Sequence, residues 1–155
     1  MRVSAVGGTF EVLHRGHRTL LAQAFKEGDE VLIGLTTSAF ANSTRARRVR
    51  PYAQRERELR AFLDSEFKGR KYEIVPLSDE LGPAATRADL ESIIVSVDSY
   101  ANGLKVNEAR VANGLPRLRV VRILHVLADD GLPISSTRIL EGEIDPDGHP
   151  AGDLE

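Results

Sequence analysis

The stretch "GGTFEVLHRGHRTLL" (7–21) holds two of the chain's four histidines, three positions apart and just behind a glycine pair. Residues of these types at this spacing can hold a phosphate. Gly7 and Gly8 permit close backbone approach, and Thr9 brings a hydroxyl donor. A helix beginning near Gly16 offers unbonded amides and a partial positive charge. His14 and His17 add imidazoles able to hydrogen-bond an anion or carry a proton near neutral pH. The stretch has neither the Gly-Lys-Ser/Thr ending of a Walker A loop nor the glycine spacing of a dinucleotide fingerprint. Other uses of the histidines compete with this one. His14 can simply cap or fill the turn, or the pair can join His125, Asp129 or Asp130 around a metal. A Ser-His-Asp hydrolase has less support, because no Gly-x-Ser-x-Gly elbow is present.

Two more stretches suit anions. In "NSTRARRVRPY" (42–52), Arg45, Arg47, Arg48 and Arg50 have no acidic neighbour and form either a solvated loop or a cluster for anionic substrate groups. Arg55, Arg57 and Arg60 alternate with Glu56 and Glu58 in the manner of a solvated helix face. In "ISSTRI" (134–139), Ser135 is a good helix N-cap. Ser136, Thr137 and Arg138 exceed what capping needs and suit a polyphosphate at a helix start. With no protein nucleophile and no obvious carboxylate cluster, direct in-line phosphate transfer is the economical chemistry. It rests on positioning and charge stabilisation.

The elements that must position these loops alternate in type. Strands are expected at 3–6, 30–37, 72–77, 92–97 and 118–126. Helices are expected from Gly16 to Gly28, through Leu59, Phe62, Leu63 and Phe67, at 99–112 with Leu104 and Ala109 inward, and from 134 onward. A short helix around 87–91 is a weaker expectation. The near-continuous apolar run "EVLIGLTT" reads as a parallel strand covered on both faces. The fold class is therefore α/β: a single-domain, Rossmann-like, doubly wound sheet of about five parallel strands. Such sheets bind ligands beyond the carboxyl ends of their strands, where strand order reverses. The loops 7–17, 37–50 and 127–137 each follow a strand and should open on that edge. Residues 1–142 form the expected domain, and 143–155 an acidic tail, loosely ordered.

Bulk properties exclude several classes. The 155 residues carry a net charge of -2, with no cysteine and 41% hydrophobic residues. Disulfides, thiolate metal sites and cysteine nucleophiles are thus excluded. The charge and scarcity of aromatics speak against a nucleic-acid partner. No run approaches the roughly 18 apolar residues of a membrane span. A cytoplasmic protein is expected.

"GGTFEVLHRGH" resembles the His-x-Gly-His signature, with its upstream Thr-Phe, of the nucleotidyltransferase superfamily. "ISSTRI" resembles that superfamily's second signature, Ile-Ser-Ser-Thr-x-Ile. With "RPYAQRERELRAFL", "NEARVANGLPRL" and "DGLPISSTRILEGEID", the chain resembles the archaeal and eukaryotic branch of phosphopantetheine adenylyltransferase over nearly its whole length. The resemblance implies transfer of adenylate from ATP to 4'-phosphopantetheine, with Mg2+ accompanying ATP, releasing pyrophosphate and dephospho-coenzyme A. It implies His14 and His17 as catalytic residues that stabilise the triphosphate, His17 the more important. It also implies an ATP- and substrate-binding set of Gly8, Thr9, Phe10, Gly16, Ser135, Ser136, Thr137 and Arg138. Within that set Thr9 holds the acceptor phosphate, and the three hydroxyl residues grip the β- and γ-phosphates. Where the family often has a lysine after the second strand this chain has none, which leaves the role to Arg45 or Arg47. Glu11 stands where Asp is usual and is expected to brace the loop. No protein metal site is expected, and by resemblance the molecule is a monomer or small homo-oligomer. Competing readings are adenylyl transfer to nicotinamide mononucleotide or FMN, cytidylyl transfer to glycerol 3-phosphate, a non-catalytic nucleotide sensor, and an RNA-binding module.

Overall fold

The computed structural model describes residues 1–44 and 48–150. Five strands, β1 (Val3–Gly8), β2 (Glu30–Thr36), β3 (Lys71–Leu77), β4 (Leu90–Val95) and β5 (Arg119–Arg122), form one parallel sheet in the order β3-β2-β1-β4-β5. The helices are α1 (Arg15–Glu27), α2 (Ser38–Thr44), α3 (Tyr52–Glu66), α4 (Tyr100–Ala112) and α5 (Ser136–Leu140). This is the expected doubly wound α/β architecture. Strand order reverses between β1 and β4, so their carboxyl ends mark the place for a ligand.

Alternation along the strands divides the core in two. Val6, Val31, Ile33, Leu35 and Ile94 face Leu21, Ala24 and Phe25 of α1 and Leu59 and Leu63 of α3. Val3, Ala5, Leu32, Ile93 and Val95 face the opposite side, where α4 lies with Val106. Among the described residues no helix is long and apolar enough to cross a membrane.

Several local expectations are corrected. The loop expected from residue 42 begins inside α2. The helix at 87–91 is absent, and a 3-10 turn at Gly82–Ala85 precedes β4 instead. Leu104 is exposed, because the inward stripe of α4 is Gly103, Val106, Asn107 and Arg110. Asn107 and Arg110 can occupy a core face because backbone groups satisfy them. The Asn107 amide donates to Leu118 O and its Oδ1 accepts from Leu118 N, while Arg110 donates to the carbonyls of Pro116, Ala84 and Arg87. The fifth strand stops at Arg122 rather than 126: Ile123 N donates to Val95 O, where β4 ends, and the chain then leaves the sheet as cleft wall.

The segment 143–150, read from sequence as the start of a loose tail, folds back on the domain. Ile144 is 3% exposed in a third small core with Ala128 and Ile134, and it bridges antiparallel to Pro150.

Candidate active site

The chain leaves β1 through a turn that its own residues force into one shape. Phe10 holds a left-handed backbone conformation at φ 48, which is unfavourable for a residue with a side chain. Burial of its ring, 3% exposed and 4.9 Å from the His17 ring, offsets that strain. Arg55 fixes the turn from below. It is fully buried on α3, and donates through Nη1 to Thr9 O at 3.0 Å and through Nε to Arg50 O at 2.8 Å. Glu11, 3% exposed, accepts from Arg50 N at 3.1 Å and Arg50 Nε at 2.8 Å, so it braces the loop as expected. Arg50 also pairs with Glu58 at 2.7 Å, and is thus bound to carboxylates instead of being held out for an anion. Arg45 and Arg47 lie outside the described residues.

The two histidines form a reciprocal cap at the start of α1. His14, the N-cap, accepts at Nδ1 from Gly16 N at 3.0 Å and His17 N at 3.4 Å, while His14 N donates to His17 Nδ1 at 3.3 Å. This is the arrangement a Ser/Thr with Glu usually makes. The rings stack with centroids 3.8 Å apart. Because both Nδ1 atoms accept, each neutral ring carries its proton on Nε2. Burial lowers the His14 pKa from 6.5 to about 4, so at neutral pH that ring is an uncharged donor. Gly16 is required beside it: a Cβ there would lie 2.8 Å from His14 Cε1. The capping use of His14 and the phosphate use are therefore compatible, since they involve different ring nitrogens.

These residues line a cleft of about 330 Å³. Gly8, Thr9, Phe10, His14, Gly16 and His17 form one wall, and Ser135, Ser136 and Thr137 a second. Thr9 Oγ1 accepts from Thr36 Oγ1 at 3.1 Å, which leaves its own proton to donate. Ser135 caps α5, its Oγ accepting from Arg138 N at 3.2 Å. Ser136 is used differently from expectation: its hydroxyl donates to Val12 O at 3.0 Å and accepts from Val12 N at 3.1 Å, tying the two loops together. Arg138 does not line the cleft. It donates to Glu143 at 2.8 Å, to the Asp130 carboxylate and to Pro133 O.

Sequence reasoning missed Arg55, Ser96, Asp98 and Ser99, and considered His125 only as a metal ligand. Arg55 reads as solvent-facing from its charged neighbours, although its spacing of four from Leu59 and eight from Leu63 places it on the apolar face. Ser96, Asp98 and Ser99, between β4 and α4, also line the cleft; the rule that loops after parallel strands share an edge applies to them equally. His125 forms part of the wall, with Nε2 3.9 Å from the Asp98 carboxylate. Asp129 pairs with His149 and Asp130 with Arg138, so neither completes a metal set with His14 and His17. Among the described residues no three His, Asp or Glu side chains group around a point.

A second cavity, of about 550 Å³ and mainly apolar, adjoins the first and shares Gly7, Gly8, Asp98 and Ser99 with it. It exists because Gly7 and Gly34, register partners on β1 and β2, put no side chain over the sheet there. A Cβ on either would meet Leu77 at 3.3–3.4 Å. Leu81, Ala84, Val95 and Val106 line the cavity further, and Asn102 and Lys105 add polar groups.

Residues 5–142 match the family described as cytidylyltransferase-like. The chain belongs to that family. Phosphopantetheine adenylyltransferase from Methanopyrus kandleri is 40% identical over 93% of this chain and 91% of its own length. This chain thus groups with the phosphopantetheine adenylyltransferases. A bifunctional phosphopantetheine adenylyltransferase/NTP phosphatase from Thermoplasma volcanium is 43% identical over 94% of this chain, which spans only 44% of that longer protein. A solved structure from Archaeoglobus fulgidus, of a protein with unknown function, superposes with a TM-score of 0.71 at 31% identity, covering 79% of this chain and 89% of that one.

Proposed function

We propose that this protein transfers adenylate from ATP to 4'-phosphopantetheine, releasing pyrophosphate and giving dephospho-coenzyme A, and that it works in the cytoplasm as a monomer or small homo-oligomer. The observation that carries the reading is the junction of two unlike cavities where strand order reverses: an imidazole- and hydroxyl-lined cleft and an apolar cavity meeting at Gly7 and Gly8. The first suits a triphosphate, with Ser135 and Thr137 toward its β- and γ-phosphates and the histidines near the α-phosphorus. The second suits the long, uncharged arm of phosphopantetheine better than the compact ring of nicotinamide mononucleotide. Thr9, at the junction, would hold the acceptor's phosphate.

An oxygen of that phosphate bonds to the α-phosphorus while the bond to the α,β-bridging oxygen breaks and pyrophosphate leaves. The attacking oxygen is already an anion, so no base is required. Neutral imidazoles donating from Nε2 therefore suffice, and they stabilise charge as it develops on the phosphate oxygens. Mg2+, carried in with ATP, would screen the triphosphate's charge. The carboxylates lining the cleft fit that arrangement: Glu11 is bound to Arg50, whereas Asp98 is exposed at the wall and would be the carboxylate to hold a phosphate-borne cation.

The test is pyrophosphate release from ATP and Mg2+ with 4'-phosphopantetheine, nicotinamide mononucleotide and FMN in parallel. Turnover with phosphopantetheine alone is expected. Turnover with another acceptor overturns the substrate, and ATP binding without turnover overturns the chemistry.

A further inference from the structure

We propose that residues 143–150 are a clasp that positions both walls of the imidazole cleft at once. The inference rests on the reading of His14 and His17 as the residues that act on the phosphates.

One end of the clasp holds the histidine turn. Pro146 O accepts from the backbone N of Arg15, the residue between His14 and Gly16, at 2.9 Å. The Arg15 guanidinium in turn donates to Leu127 O at 2.8 Å, next to Val126 of the cleft wall. The other end holds the hydroxyl loop. Gly148 O accepts from Asp129 N at 2.9 Å, and His149 Nδ1 lies 2.8 Å from the Asp129 carboxylate. Gly148 sits so close to that loop, at φ +87, that a Cβ would lie 2.9 Å from Ala128 Cα and 2.8 Å from Ile134 Cδ1. Ile144 fills the small core beneath Ile134, one residue before Ser135. Arg138, which does not face the cleft, joins the same structure by bridging Asp130 and Glu143.

One side chain adds to the backbone bonds that close the clasp, Asp145 N to His149 O at 2.8 Å and Gly148 N to Asp145 O at 2.9 Å. Asp145 Oδ1 accepts from Asp147 N and His149 N, each at 2.9 Å, and so folds the turn that presents the Pro146 and Gly148 carbonyls. Asp145 is half-buried, lies six residues past the second signature and does not line the cleft, so its removal deletes no group that touches substrate. An error of about 1 Å at a transfer site can cost up to about 10²-fold in rate. Loosening one hydrogen-bonded turn should produce part of that effect.

The experiment compares the full chain with Asp145→Ala and Asp145→Asn. The alanine variant should lose about tenfold in kcat with KM for ATP within about twofold, because the histidines act on the developing charge rather than on ground-state binding. Asparagine keeps the Oδ1 acceptor and should restore kcat. An NMR titration of the histidine rings reads the same event without turnover. In the parent, His14 should stay neutral down to pH 5; in Asp145→Ala its ring, released from the cap, should gain a proton at higher pH. Unchanged kcat and unchanged His14 titration in Asp145→Ala overturn the clasp, as does equal impairment in Asp145→Asn. Should the parent show no adenylyl transfer, the functional reading fails, and the His14 titration alone decides the clasp.

Discussion

His14 has two jobs in this structure on two ring nitrogens, and a single substitution separates them. Asparagine is a good N-cap whose side-chain oxygen can accept from the Gly16 and His17 amides as His14 Nδ1 does, but it places no donor where Nε2 stands. His14→Asn should keep the start of α1 intact and lose transition-state stabilisation. Removing one preorganised donor costs about 10²–10³ in kcat, or about 2.7–4 kcal/mol. His14→Ala loses the donor and the cap together. An N-cap replaced by alanine costs about 1 kcal/mol, which in a chain of this size lowers Tm by about 2–4 °C. Pyrophosphate release and thermal unfolding followed by circular dichroism give the two readings. The expected pattern is equally low turnover in both variants, with a lowered Tm in alanine alone. Near-parental turnover in His14→Asn would refute the donor role, and a Tm as low as that of His14→Ala would refute the Nδ1 cap.

Three further outcomes follow from the same geometry. Folded His14 binds its proton more weakly than an unfolded histidine, so between pH 6.5 and about 4 the unfolded chain takes up the extra proton and stability falls as pH drops. The full difference is about 3 kcal/mol, reduced by the ring's partial exposure. The denaturant midpoint of the parent should therefore fall more steeply with acidification than that of His14→Asn, and parallel curves would contradict it. Glu11→Ala removes the partner of Arg50 from a position 4% exposed. Arg50 is 32% exposed and keeps Glu58, so the loss in a urea titration should be about 2 kcal/mol, below the 3–5 of a fully buried broken pair. Gly16→Ala forces the His14 ring aside. It should cut kcat about tenfold with little change in Tm, because alanine's helix preference of about 1 kcal/mol opposes the crowding; unchanged kcat would mean the ring position is not critical.

The architecture was legible in the sequence because its signals are periodic and local. Continuous apolar runs such as 30–36 identify covered parallel strands, and the glycines at 28 and 69 mark ends of elements. From that alternation alone, the loops bearing His14 and Ser135 could be assigned to one edge. What escaped was decided by long-range partners. Arg55 and Arg110 look like surface residues until the carbonyls that receive them are brought close by folding. Ser136 looked like a phosphate ligand because nothing local announces that Val12, 124 residues away, takes its hydroxyl. The acidic composition of 143–150 concealed Ile144, whose place is in a core made by a distant loop.

The central claim is direct adenylyl transfer from ATP to phosphopantetheine within this cleft. Its most direct test is the stereochemical course with an ATP made chiral at the α-phosphorus by sulfur substitution. The account predicts a dephospho-coenzyme A analogue with inverted configuration at phosphorus, the mark of a single in-line displacement. Retained configuration would reveal an enzyme-bound intermediate and contradict the account, as would the absence of any product.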